Sequence, residues 1–419
     1  MTRPPGTRRT SRAGEDPVVP RRLEIDMAYV QAVLLHLLRI PSPTGRTDEV
    51  VQFVGERIAE LGMDLSVTRR GLLNATLAGI RSRPDRAVVV HADTIGCMVT
   101  RLKDNGRLEV TQLGTHSARF AEGAHVTIFC DEPGLRYTGT VLPLKSSGHQ
   151  YGDEVDTQGV GWPIVEVRVD EPVHDAAGLT ALGLQVGDFV ALDANPQVTP
   201  GGYVKSRHLD DKAGIAAALG AFKALTDARV VPLVGAHLLV TIAEEVGHGA
   251  THGLDTDVAE MVAVDNAVVA PGQQSREDAV NIAMLDSTGP FDYHFSRKLL
   301  ALCDDHGIRR TRDTFRHYRS DAASAVEAGL EMRTALVGFG VDSSHGHERT
   351  HLDSIQAVAE LLAVYLQTDL TFPEWDRDER GPLEGFPSRS VQPTPLEERR
   401  RAGDRPDPDA PDPAEEATA

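Results

Sequence analysis

Cysteine is scarce. Cys97, Cys130 and Cys303 stand apart in 419 residues, with no CxxC pair. A disulfide framework is therefore not expected, and a reducing cytoplasm is the natural compartment. Long apolar runs are also missing. None approaches the roughly 18 residues of a membrane span, so no membrane segment is expected. Positive charge is in deficit: 43 Lys and Arg against 62 Asp and Glu leave a net charge of −19. That balance argues against nucleic acid and against anionic membrane surfaces as partners. Arg3, Arg8, Arg9 and Arg12 crowd the N-terminus, but no apolar stretch follows them, so they do not read as a signal peptide. What remains is ordinary soluble-protein composition, 41% apolar and 25% charged, with length enough for two or three domains and a real core.

Read in order, the chain changes character four times. Residues 1–22 form a Pro/Arg/Ser/Thr-rich basic arm expected to be disordered. Residues 23–97 carry two helical patterns, Leu23 to Ile40 and a second one after Thr47, which can cap it. The apolar strand Ala87–Val90 follows. Residues 98–200 alternate like short strands: 98–102, 108–112, 125–129, 136–142, 164–169 and 189–192. Asp-Asn-Gly and Asp-Glu-Pro-Gly turns separate them, as in a small inserted β-barrel. Its histidines, His116, His125, His149 and His174, lack ligand spacing and read mostly as surface groups. Residues 201–370 return to helix and apolar strand in alternation. Residues 371–419 are an acidic, Pro-rich tail expected to be disordered. The fold class is α/β, a three-layer α/β/α sheet with the barrel inserted.

Chemistry gathers where apolar strands end. Leu238–Ile242 runs into Glu244-Glu245-Val246-Gly247. Ala87–Val90 delivers His91-Ala92-Asp93. Met261–Val264 ends in Asp265. Leu209-Asp210-Asp211-Lys212-Ala213-Gly214 opens an Ala-rich helix, whose small residues let its start pack closely. The last strand leads to His345, His347 and His351. Each motif alone has a bland explanation: a solvated Glu pair, a core histidine, a helix cap. Buried acids are costly without a compensating cation, and in an open α/β sheet these points converge at the carboxyl edge. Carboxylates and imidazoles without cysteine suit two divalent metals in a catalytic site.

His-Ala-Asp-Thr-Ile-Gly, Leu-Asp-Asp-Lys-Ala-Gly, Glu-Glu-Val-Gly, Val-Asp and a late histidine, in this order, resemble the glutamyl or deblocking aminopeptidase family of two-metal peptidases, which includes the tetrahedral aminopeptidases. The resemblance spans about Leu23 to Leu370. It implies hydrolysis of N-terminal residues from short peptides, with zinc or cobalt as the two divalent metal ions. His91 and Asp265 would hold one metal, Asp210 would bridge, and Glu245 with His345 would hold the second. His351 is the alternative to His345, and His347 ranks third. Glu244 would be the general base, the strand turning it to the face opposite Glu245, and Asp93 would sit behind His91 and tune it. The resemblance also implies a homo-oligomer, a dimer or a larger shell.

Thr94 stands where the family pattern has glutamate, the Glu-Glu-Val-Gly-His-Gly-Ala loop is one residue short, and His345-Gly346 replaces His-Ser. These departures concern the substrate pocket. They resemble a branch that accompanies synthesis of an N-acetylglutaminylglutamine amide osmoprotectant. Two other readings stay open: a metal-dependent amidase or deacylase acting on N-acylated amino acids or dipeptide amides, and a glycoside hydrolase. The β-rich insert speaks against the first. Adjacent carboxylates pointing apart speak against the second.

Overall fold

The structure is a computed structural model that describes residues 19–254, 257–383 and 386–387. Its main sheet has four parallel strands at the centre: Val234–Thr241, Arg81–His91, Val258–Val269 and Arg333–Asp342, in that spatial order. Asp64–Val67 and Leu73–Leu77 extend one side. Glu348–His351, Tyr203–Ser206 and Gln197–Val198 extend the other, and Val280–Asp286 and Arg310–Thr314 branch from the Arg333 strand. All eight residues of Val234–Thr241 are buried. Such a run must be covered on both faces.

The period of two decides which residue meets which cover. Val88, Val90, Leu238, Val240, Val262, Val264 and Val337 enter one core together with the helices Met27–Leu37, Asp48–Glu60, Leu209–Asp227, Tyr293–His306 and Leu352–Tyr365. Ala87, Val89, Leu239, Met261, Ala263 and Leu336 enter the other, under the short helix Asp321–Glu327 and the loop around Ala250. The second layer is thin, and the cleft opens there.

The inserted domain is a closed antiparallel barrel of six strands. In spatial order they are Gly96–Leu102, Arg107–Leu113, Val165–Val169, Arg136–Pro143, His125–Phe129 and Phe189–Leu192. Val99, Leu108, Val126, Ile128, Val141, Val167 and Val190 fill its interior. The stretch between 146 and 161 is not a plain loop, for it holds the single helical turns Gly148–Tyr151 and Glu154–Thr157.

Both ends of the ordered body reach further than expected. Arg22 pairs with Glu360 at 2.7 Å. Beyond Leu370, the Thr371 amide binds the buried Glu260, Phe372 is buried, and Asp376 meets Arg333 at 2.9 Å. The anchors are polar groups with buried partners, which an apolar period does not reveal. Residues 1–18, 384–385 and 388–419 lie outside the described residues. Thr47 makes no side-chain cap to the second helix.

Candidate metal centre

The register of the parallel strands assembles the site. Thr241 lies opposite His91, and Ala263 opposite Val89, so Asp265 comes level with His91 on the neighbouring strand. Asp265 is not at a strand end; its strand continues to Val269. The helix Leu209–Asp227 brings Asp210 and Asp211 under this edge, both with non-helical backbone. Gly214 is required there: a Cβ would stand 2.0 Å from the Asp211 carboxylate.

Two groups of ligand-type atoms result, each with its atoms within 4.8 Å of one another: His91, Glu244 and Asp265; and Asp210, Glu245 and His345. Asp210 joins them. One of its oxygens is 3.0 Å from His91 Nε2 and the other 3.2 Å from His345 Nε2. Glu245 lies 3.4 Å from His345, while Glu244 and Asp265 lie 4.0 and 3.9 Å from His91. Glu244 and Glu245 therefore face different groups, but not by strand alternation. The strand stops at Thr241, and Glu244–Val246 is a 3-10 turn.

Asp93 is wholly buried and holds that turn. Its carboxylate accepts from the Glu244 amide at 3.1 Å, the Glu245 amide at 3.3 Å and the Thr44 hydroxyl at 2.7 Å. His91 Nδ1 meets the Asp93 main-chain oxygen at 3.0 Å, and the Asp93 carboxylate is further off at 3.7 Å. Asp93 thus orders the glutamate turn through its side chain and the imidazole through its backbone.

Of the late histidines, His345 is the one that stands in a ligand-type group. Its left-handed φ of 61° aims Nε2 at Asp210 and Glu245, and Nδ1 meets the Thr115 carbonyl oxygen of the barrel at 2.7 Å. His351, the alternative, lies outside both groups and is engaged elsewhere. Its Nδ1 accepts from the Asp353 amide at 3.0 Å, capping the last helix, and its Nε2 binds the Gly201 carbonyl. His347 is exposed and outside both groups.

Several further residues hold the site together. Buried Glu348 accepts from the Asp210 and His345 amides. Asn266 donates to Asp210 at 2.5 Å, and Asp211 accepts from the His91 amide at 3.2 Å. Asp321 accepts from the Thr241 hydroxyl at 2.6 Å. The Tyr318 hydroxyl faces Asp265, and burial together with that charge holds its pKa well above the phenol range. His116, one of the four barrel histidines read mostly as surface groups, is the one that approaches the site: it is buried beside His345, with burial and that neighbour pushing it down to about 4.

The electrostatics test whether metal belongs here. Four carboxylates face two imidazoles in the two groups. Burial raises Glu244 and Asp265 well above the carboxylate range and pushes Glu245 up to about 7, with neighbouring acids adding to it. Burial alone would lower His345, but Glu245 and Asp210 push it up to about 11. Carboxylates crowded in this way need added positive charge to stay ionised. The donor set, oxygen and imidazole without sulfur, fits divalent cations.

A cleft of about 1560 Å³ opens over both groups, walled by Gly114 and Thr115 of the barrel, the turn at Val246, and the loop Arg316–Arg319. An α/β sheet presenting paired acid–imidazole groups to an open cleft defines a hydrolase, and of the peptidase kind. The chain belongs to the family of M42 glutamyl aminopeptidases, whose profile matches residues 71–361. YhfE of Bacillus subtilis strain 168, whose given name calls it an aminopeptidase, is 34% identical over 338 residues, 81% of this chain and 97% of that protein. The aminopeptidase APDkam598 from Desulfurococcus kamchatkensis superposes with a TM-score of 0.75 at 19% identity, over 85% of this chain and 99% of that one. The Pyrococcus horikoshii TET1 peptidase, which assembles into a tetrahedron or an octahedral shell, gives 0.70 at 21% identity over 80% and 99%.

Proposed function

We propose that the protein is a two-metal aminopeptidase that removes N-terminal residues from short peptides. One observation carries the reading: two acid–imidazole groups joined by Asp210 at the floor of an open cleft, with Glu244 at its edge. His91 and Asp265 would hold one cation, Glu245 and His345 the other, with Asp210 shared. When bound, the cations supply Lewis acidity and lower the pKa of water at the site.

The chain's own residues do the rest. Glu244 takes a proton from the attacking water and returns it to the leaving amine, base first and then acid. Asp93 fixes the turn that sets Glu244 and Glu245 apart. Glu348 and Asn266 hold the Asp210 carboxylate and the His345 backbone in place. The open cleft admits a peptide end, and dipeptide amides form the second substrate class to test. Similarity to self-assembling peptidases supports a homo-oligomer. The three free cysteines fit a cytoplasmic setting.

The test is bound metal by elemental analysis, followed by aminoacyl-amide and dipeptide substrates with and without chelator. Two metals per chain and chelator-sensitive amine release are expected. Full activity in metal-free protein, or two metals with no amide cleavage, would sink the reading.

A further inference from the structure

The side chains of the two groups are rich in acceptors and poor in donors. Asp210, Glu244, Glu245 and Asp265 accept when ionised. The outward nitrogens of the two imidazoles are committed, His91 to the Asp93 carbonyl and His345 to the Thr115 carbonyl. Asn266 is committed to Asp210, and both terminal nitrogens of Arg319 to Glu327. Tyr318 differs. Its hydroxyl is buried, interacts with Asp265 with Asp210 and Glu244 close by, and among the described residues makes no hydrogen bond of good geometry.

Its mounting is firm. Tyr318 lies in the loop between Arg310–Thr314 and Asp321–Glu327. Its carbonyl accepts from the Ser287 amide at 2.9 Å, and its ring leans on Phe315 with centroids 5.3 Å apart. It lines the same cleft as Glu244. A buried, unpaired donor calls for an explanation, and a partner that arrives with the substrate supplies one.

We propose, resting on the aminopeptidase reading above, that Tyr318 is a catalytic residue that donates a hydrogen bond to the scissile carbonyl oxygen as that oxygen gains negative charge. The phenol keeps its proton throughout. It is a neutral donor, fixed in advance and aimed where charge develops, which is the arrangement that lowers an acyl-transfer barrier. A rival role exists in the same geometry: the hydroxyl could hold Asp265 for its cation.

Tyr318→Phe in the full-length, metal-loaded protein separates the two. A loss of kcat on aminoacyl amides by about 10²-fold is expected, on the scale of removing one oxyanion donor. KM should stay within about threefold, because the bond forms in the transition state. Calorimetric metal affinity should match wild type. A phosphinic dipeptide analogue, which copies the tetrahedral carbon, should lose affinity by a factor like that in kcat/KM, while the product amino acid binds as before. Wild-type kcat in the variant overturns the proposal. So does a fall in metal affinity that parallels kcat, which would assign the hydroxyl to Asp265. Wild-type protein that cleaves no amide overturns the functional reading and the proposal with it; cleavage by wild type and variant alike overturns the proposal alone.

Discussion

At the residue scale, adjacent glutamates do different things because a tight turn splits them, and this separates the outcomes of their replacement. Glu244→Gln should keep both metals and lose kcat by about 10²–10⁴-fold, the range for a general base. Glu245→Ala should lose metal first, with activity following. Elemental analysis beside kcat decides; equal metal loss in both variants would contradict the assignment. The cysteines offer a second check. Cys130 is half-buried, and burial with nearby Asp188 pushes its thiol up to about 11; buried Cys303 rises to about 12. The thiolate is the reactive form, so a raised pKa leaves little of it at neutral pH. Disulfide-exchange labelling of native protein should reach Cys130 alone, with a rate climbing about tenfold per pH unit from 7 toward 10. Cys303 should react only after unfolding. Fast labelling at pH 7 would refute this.

At the scale of elements, the late histidines come apart. His351→Ala removes a cap from Leu352–Tyr365 and should cost about 1 kcal/mol of stability with kcat unchanged. His345→Ala should leave stability nearly unchanged and abolish activity and one metal. Urea midpoints and metal content distinguish them. The strands were legible because burial leaves a local trace. Ala87–Val90, Val234–Thr241 and the six barrel strands are short apolar or alternating runs bounded by turns. The end of Ala87–Val90 located His91, the apolar run Met261–Val264 led to Asp265, and the start of the Ala-rich helix located Asp210. What stayed hidden is long-range. Asn266 gains its place from a partner 56 residues away, Glu348 meets not only nearby His345 but also the Asp210 amide 138 residues away, and Tyr318 sits in a polar, aperiodic loop. The turn at Glu244–Val246 was masked by the apolar run before it. Asp93 looked like a neighbour for His91 because sequence shows adjacency, not the Glu244 and Glu245 amides that its carboxylate binds.

At the scale of the whole molecule, polar contacts tie the segment beyond the last helix to the body. Arg333 bridges Asp292 and Asp376, and Glu260, fully buried, gathers Lys298, Tyr365 and the Thr371 amide. Arg333→Ala should cost about 2 kcal/mol, as expected for lost hydrogen bonds between charged groups. A chain ending at Leu370 should unfold at lower denaturant than one ending at Arg380. Equal midpoints would show that residues 371–376 add nothing. Activity near 25 °C should survive both changes, since neither touches the cleft.

The Thr115 carbonyl reaches His345 from the barrel, and it is a backbone group. No substitution at 115 other than one that moves the chain removes it. Gly114 guards the same path: a Cβ there would press on Ile95 at 2.9 Å and on Glu245 at 3.3 Å. The inserted domain is therefore not a detachable module. Grafting another barrel between residues 97 and 192 would transplant its fold and still break the centre unless the new loop retraced this route. The barrel's outer surface carries no such constraint, whereas the inner path of two residues does.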